Sequence, residues 1–200
     1  MSSGNDHPFA DIERTFKRAV AALREAEIPF LVGGTLASWA RGGPEPRKDL
    51  DIMVTPQDSE RALAALAGMG MTPERSEEEW LLKARDGDVV VDVIHRPKGM
   101  TIDQSVIDRA EEMDLLAMGV RVMALEDVMV SKLLALSDHE LDLESPLQIA
   151  RSVREQIDWD DVATRTAESP YARAFLTLIE ELGIARHPAR NGRARVRVLD

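Results

Sequence analysis

Five branched aliphatic residues and one carboxylate make up the segment "VVVDVI", residues 89–94. A run of that length and composition reads as a strand covered on both faces. An unpaired charge inside such a strand is costly, so Asp92 needs a partner and the fold must deliver one. The plain alternative is a solvated aspartate at a sheet edge. Two more carboxylates lie upstream. In "KDLDIMV" (48–54), Asp49 and Asp51 alternate with Leu50 and Ile52. Side chains alternate along a strand, so both acids leave one face, roughly 6–7 Å apart at Cα, and the aliphatics leave the other. Like charges that close repel unless a cation lies between them, and carboxylate oxygens suit Mg²⁺ or Mn²⁺. An isolated Asp-x-Asp is most often two solvated acids. A third acid within an apolar strand favours a shared metal.

Fourteen residues separate Asp49 from the upstream pair Gly33-Gly34, at the end of the apolar run "FLV" and at the start of the short helical segment "TLASWAR". Glycines between a strand and a helix let backbone N–H groups and the helix start come close to an anion. Thr35 adds a hydroxyl beside them. For Gly-Gly alone, a tight turn needing positive φ is the simpler explanation.

Around these motifs the chain reads as a mixed α/β half followed by a helical half. Phe9, Ile12, Phe16, Val20 and Leu23 recur at steps of three and four, which predicts an amphipathic helix over 9–26. A second helix is expected from Pro56 to Gly68 or Gly70, and a hairpin turning at Asp86-Gly87. A polar helix near 101–112 and extended pieces around 115–124 come next. From Leu125 onward the pattern is almost wholly helical. The expected division is an α/β core over 1–124, a helical part over 125–182 that completes a cleft, and a basic tail over 183–200.

Composition narrows the partners. The 200 residues carry a net charge of −11, which disfavours indiscriminate binding to nucleic acid. The tail "GIARHPARNGRARVRVLD" holds five arginines against one acid. It offers a phosphate contact, although a solvated terminus is the simpler reading. With zero cysteines there are no disulfides and no thiolate metal sites, in keeping with a cytoplasmic setting. No apolar run is long enough to span a membrane, and the first twenty residues lack the pattern of a secretory signal. His95 and His139 have no second histidine at ligand spacing, so zinc is not expected. Trp39, Trp80 and Trp159 read as packing residues, with Trp39 near enough to the glycines to line a pocket. Asp-x-Asp also marks haloacid-dehalogenase-type phosphatases and glycosyltransferases. The former place an apolar strand before the pair, where this chain has Arg47 and Lys48. The latter match poorly at this length.

An apolar strand, Gly-Gly, a short helix, Asp-Leu-Asp-Ile and a later Val-Asp-Val together resemble the nucleotidyltransferase superfamily with the polymerase-β-like fold. "MALEDVMVSKLLALSDHELD" (123–142) is similar to the segment in which toxin-type and antibiotic-modifying members carry a lysine on a helix and a following aspartate. The resemblance covers roughly 28–182. It implies an α+β fold, with a mixed-sheet core and a C-terminal helical half. It also implies that Gly33, Gly34, Thr35, Arg47, Lys132 and Asp142 bind the nucleotide. Asp49, Asp51 and Asp92 would then hold Mg²⁺ or Mn²⁺, with Asp92 as general base and Lys132 against phosphate charge. The implied reaction moves NMP from an NTP to an acceptor hydroxyl or phosphate and releases pyrophosphate. The acceptor is RNA or protein in a toxin-type enzyme with an antitoxin partner, or a small hydroxylated molecule such as an antibiotic. A non-catalytic nucleotide-binding module of the same fold is the rival from a different class. The gap between Gly34 and Asp49 is slightly longer than the family pattern, which affects the 42–46 loop rather than the carboxylates.

Overall fold

The computed structural model describes residues 8–46, 49–138 and 141–185. Arg47, His139 and the arginines of the tail lie outside the described residues. Seven strands form one mixed sheet in the order β3-β4-β5-β2-β1-β7-β6. Their ranges are β1 Leu31–Val32, β2 Asp49–Met53, β3 Thr72–Glu74, β4 Leu81–Asp86, β5 Val89–Ile94, β6 Glu111–Leu115 and β7 Met118–Val122. The helices are α1 Pro8–Glu25, α2 Gly34–Trp39, α3 Ser59–Gly68, α4 Gln104–Arg109, α5 Leu125–Ala135, α6 Glu144–Val153, α7 Trp159–Arg165 and α8 Pro170–Glu181. Among the described residues, no helix is long and apolar enough to cross a membrane.

The expected interior strand is β5, which lies between β4 and β2. Its pairing with β2 is parallel and sets Leu50 beside Val91, Asp51 beside Asp92 and Ile52 beside Val93. Parallel partners share a face, so the sheet sorts its side chains cleanly. Leu50, Ile52, Val91 and Val93 are all fully buried, on the face that α1 and α3 cover with Ile12, Phe16, Leu23 and Leu66. Asp51 and Asp92 rise from the opposite face. The helical half is joined to the same core through Val128, Met129, Leu133 and Phe175, with α5 packed against α2, α6, α7 and α8.

Several local expectations shift. The second helix begins at Ser59, not Pro56, because Thr55–Asp58 is a turn closed by the Asp58 N–H on the Thr55 carbonyl (3.0 Å). The 101–112 segment is helical only over Gln104–Arg109, where the Asp103 side chain accepts from the Ser105 and Val106 N–H groups; Glu111 already belongs to β6. The β4–β5 turn centres on Gly87-Asp88, one residue later than expected, with Gly87 at φ +64°. Positive φ at the first central position is the glycine-first hairpin turn that suits strand twist. The extended pieces near 115–124 pair as the β6–β7 hairpin. Its two turn residues, Leu116 and Ala117, both sit in the left-handed region, at φ 52° and 63°. The short strand β3, with Pro73 at the sheet edge where a missing N–H is tolerated, was not legible in the sequence.

Candidate active site

The site is built where β1 runs into α2. The Gly33 N–H donates to the Asp51 carbonyl (2.8 Å), which carries the β1–β2 ladder one residue past β1. Gly34 then turns the chain at φ +52°. A Cβ on Gly34 would fall 1.5 Å from Asp51 Oδ2, and one on Gly33 would fall 2.3 Å from the Met53 methyl. The glycine pair therefore answers two demands at once, a left-handed turn and room for the Asp51 carboxylate against the start of α2. There the Thr35 backbone N–H hydrogen-bonds that carboxylate.

Asp51 and Asp92 stand in register on neighbouring strands, and Asp49 is exposed one step along β2. Burial raises the pKa of Asp51 and Asp49 adds to the rise, against the lowering effects of Lys132, the Thr35 N–H and Lys83. Burial and then the Asp51 charge push Asp92 up from 3.8 to about 6, opposed by Lys83. Lys83 comes from β4, directly across the hairpin from Asp92, with Nζ 3.8 Å from Oδ1. That Oδ1 is buried and lacks a hydrogen bond among the described residues. Sequence reasoning missed Lys83. A turn centred on Gly87-Asp88 pairs residue 83 with residue 92, whereas the expected Asp86-Gly87 turn pairs Leu81 with Asp92, so the one-residue error hid it.

Lys132 reaches the same place from α5. It lines a cleft of about 390 Å³ together with Thr35, Asp49, Asp51 and Asp92, opposite Asp142, Glu144, Ser145 and Gln148 at the start of α6. The Asp142 carboxylate accepts from the Glu144 N–H (2.9 Å) and the Ser145 N–H (3.4 Å), so it caps α6 at the cleft rim. Trp39 packs instead on Phe9, centroids 4.9 Å apart, away from the carboxylates. Trp159 is buried and donates its indole N–H to the Arg154 carbonyl (3.0 Å). His95 is buried with Nδ1 unpaired among the described residues and with its pKa lowered, chiefly by burial. Glu60 of α3 acts on it electrostatically, which sets it on the α3 side of the sheet.

Among the described residues, no three His, Cys, Asp or Glu side chains converge as a finished metal site. The donor chemistry nevertheless fits an oxygen-seeking divalent cation. Two neighbouring carboxylates are held at raised pKa, Asp51 by burial and the Asp49 charge and Asp92 by burial and the Asp51 charge, and one buried oxygen lacks a hydrogen bond among the described residues.

A mixed sheet carrying Gly-Gly, two strand carboxylates in register and a helix-borne lysine defines a protein of the nucleotidyltransferase fold. Residues 11–181 match the model of a family described as uncharacterised nucleotidyltransferases, and the chain belongs to that family. Among solved structures, the antibiotic-resistance factor ANT(2'')-Ia in solution is similar over 87% of this chain and 97% of its own, with 15% identity and a TM-score of 0.60. Its crystal structure with adenylyl-2''-tobramycin gives 16% identity, coverage of 86% and 98%, and a TM-score of 0.55. An inferred nucleotidyltransferase from H. pylori is 15% identical over 89% of this chain and 80% of its own, with a TM-score of 0.54. At these identities the likeness establishes the fold. A search of curated protein sequences gave no significant match.

Proposed function

We propose that the protein transfers NMP from an NTP to an acceptor hydroxyl in a divalent-cation-dependent reaction, with the helical part 125–182 completing the cleft. The carrying observation is the register pair Asp51–Asp92, set between the α2 start and Lys132. Asp51 and Asp92, joined by Asp49, would hold the cation, which supplies charge neutralisation at the reacting phosphoryl oxygens. The residues do the rest. Gly33, Gly34 and Thr35 give the phosphates an unobstructed backbone, and Lys132 opposes their charge. Asp92 takes the proton of the acceptor hydroxyl, and with a pKa of about 6 it is ionised at neutral pH. The acceptor oxygen forms its bond to the α-phosphorus as the bond to the β-phosphate oxygen breaks, and pyrophosphate leaves. Asp142 offers its second carboxylate oxygen to hydroxyl or amine groups at the rim.

Charge bears on the acceptor. Glu45, Asp49, Asp51, Asp92, Asp142 and Glu144 line the cleft, and Lys132 is the one cation among its described lining residues. Such a wall repels a polyphosphate backbone and suits a small cationic hydroxylated acceptor. This favours the small-molecule reading, in line with the tobramycin adduct bound by ANT(2'')-Ia. The toxin-type reading, with RNA or protein as acceptor and an antitoxin as partner, predicts growth arrest on induced expression instead of drug resistance.

The test is incubation with each α-labelled NTP, Mg²⁺ or Mn²⁺ and a panel of amine-bearing hydroxylated acceptors alongside bulk RNA. Pyrophosphate release with labelled small-molecule product is expected, and its loss in Asp51→Asn. Nucleotide binding without turnover for every acceptor would favour the non-catalytic module.

A further inference from the structure

Four charged side chains stand in one register row across the sheet. Glu74 of β3 lies opposite Lys83 of β4, Lys83 opposite Asp92 of β5, and Asp92 beside Asp51 of β2. Neighbouring strands lie roughly 5 Å apart, so each charge in such a row feels the next. The outer acid is already satisfied. Arg85 donates to both carboxylate oxygens of Glu74, to Oε2 at 3.0 Å. Lys83 is left to the inner acids, and among the described residues its one ion pair is with Asp92.

That pair is a loose one. Nζ stands 3.8 Å from Oδ1, outside hydrogen-bond range, and this buried oxygen accepts from no donor among the described residues. An ammonium at such a distance offsets charge without occupying the oxygen. The same ammonium acts on Asp51, where it joins Lys132. The two lysines differ in place: Lys132 lines the acidic cleft, and Lys83 is not among its lining residues.

Two buried carboxylates side by side repel each other, and any cation nearby relieves that repulsion. A lysine built into the sheet relieves part of it permanently, so less is gained when a divalent cation arrives. We infer that Lys83 is the resident counter-ion of Asp92, a positioning residue that offsets the acidic charge in the metal-free protein and thereby lowers the affinity of Asp51 and Asp92 for a free divalent cation. The inference rests on the nucleotidyl-transfer reading and adds to it the residue that sets how strongly the cation is held.

Mn²⁺ alone is the probe, titrated into the full chain with the free ion read by electron paramagnetic resonance. Lys83→Met keeps the apolar stem and removes the charge, and should tighten Mn²⁺ binding about tenfold, the size of one partly screened charge pair. Lys83→Gln should tighten it likewise, and Lys83→Arg should bind as the wild type does. Urea unfolding of each variant checks that it is folded. Loss of packing would weaken binding, so a tighter variant separates a counter-ion from a merely structural lysine. Lys17→Met, which removes an equal charge from α1, should leave the affinity unchanged. Unchanged or weaker Mn²⁺ binding in Lys83→Met and Lys83→Gln, or an equal gain in Lys17→Met, would overturn the counter-ion role while leaving nucleotidyl transfer standing. Absence of Mn²⁺ binding in the wild type and in every variant would overturn the cation-dependent reading and this inference together.

Discussion

Replacing Asp92 with Asn should make the protein more stable at neutral pH while removing its transferase activity. Burial, and then the neighbouring Asp51, raise the Asp92 pKa from 3.8 in the unfolded chain to about 6 in the fold. A carboxyl with a raised folded pKa binds its proton more tightly in the native state. Well below pH 3.8 both states are protonated and Asp92 has no effect on stability. Stability then falls as pH rises toward about 6, and above that the full penalty applies. At 1.36 kcal/mol per unit, the rise from 3.8 to about 6 corresponds to about 3 kcal/mol. Attraction to Lys83, 3.8 Å away, is already contained in that net figure. The Asn amide keeps part of the burial cost, so the expected gain is about 1–3 kcal/mol at pH 8 and near zero at pH 4. The assay is urea unfolding of both proteins at the two pH values. Adding Mg²⁺ at pH 8 should raise the wild-type midpoint and leave Asp92→Asn almost unmoved. A variant no more stable than wild type at pH 8, or equally stabilised at pH 4, would refute the reasoning that repulsion and burial at Asp92 are held in place for function.

The remaining predictions address how the site is assembled. Gly34→Ala forces a side chain into positive φ and into Asp51 Oδ2, so unfolding experiments should show a loss of at least about 2 kcal/mol, with activity lost alongside. Ala117→Gly relieves a left-handed alanine in the β6–β7 turn and should raise stability by about 1 kcal/mol with turnover unchanged; no gain would mean that the turn is not strained. Asp127, fully buried on α5, accepts from Arg109 (3.1 and 2.9 Å) and from Arg165. Asp127→Ala should cost roughly 2 kcal/mol in urea unfolding, because two guanidinium groups lose their common partner.

The residue pattern alone placed Asp49 and Asp51 on one face of a strand and Leu50 and Ile52 on the other, since alternation is a local property of extended backbone. It also marked Gly33-Gly34 as a turn into a helix, and Asp92 as a charge that an interior strand must accommodate. Periodicity fixes which face a side chain takes, but it carries no information on register between strands distant in sequence. Only the parallel pairing of β2 with β5 set Asp51 beside Asp92 rather than two residues away. Hairpin register works the same way, and a one-residue difference in the turn decided that Lys83 faces Asp92. Lys132 stood out as a lysine on an apolar helix. Its approach to Asp51 depends on α5 packing against α2, a contact between segments about a hundred residues apart.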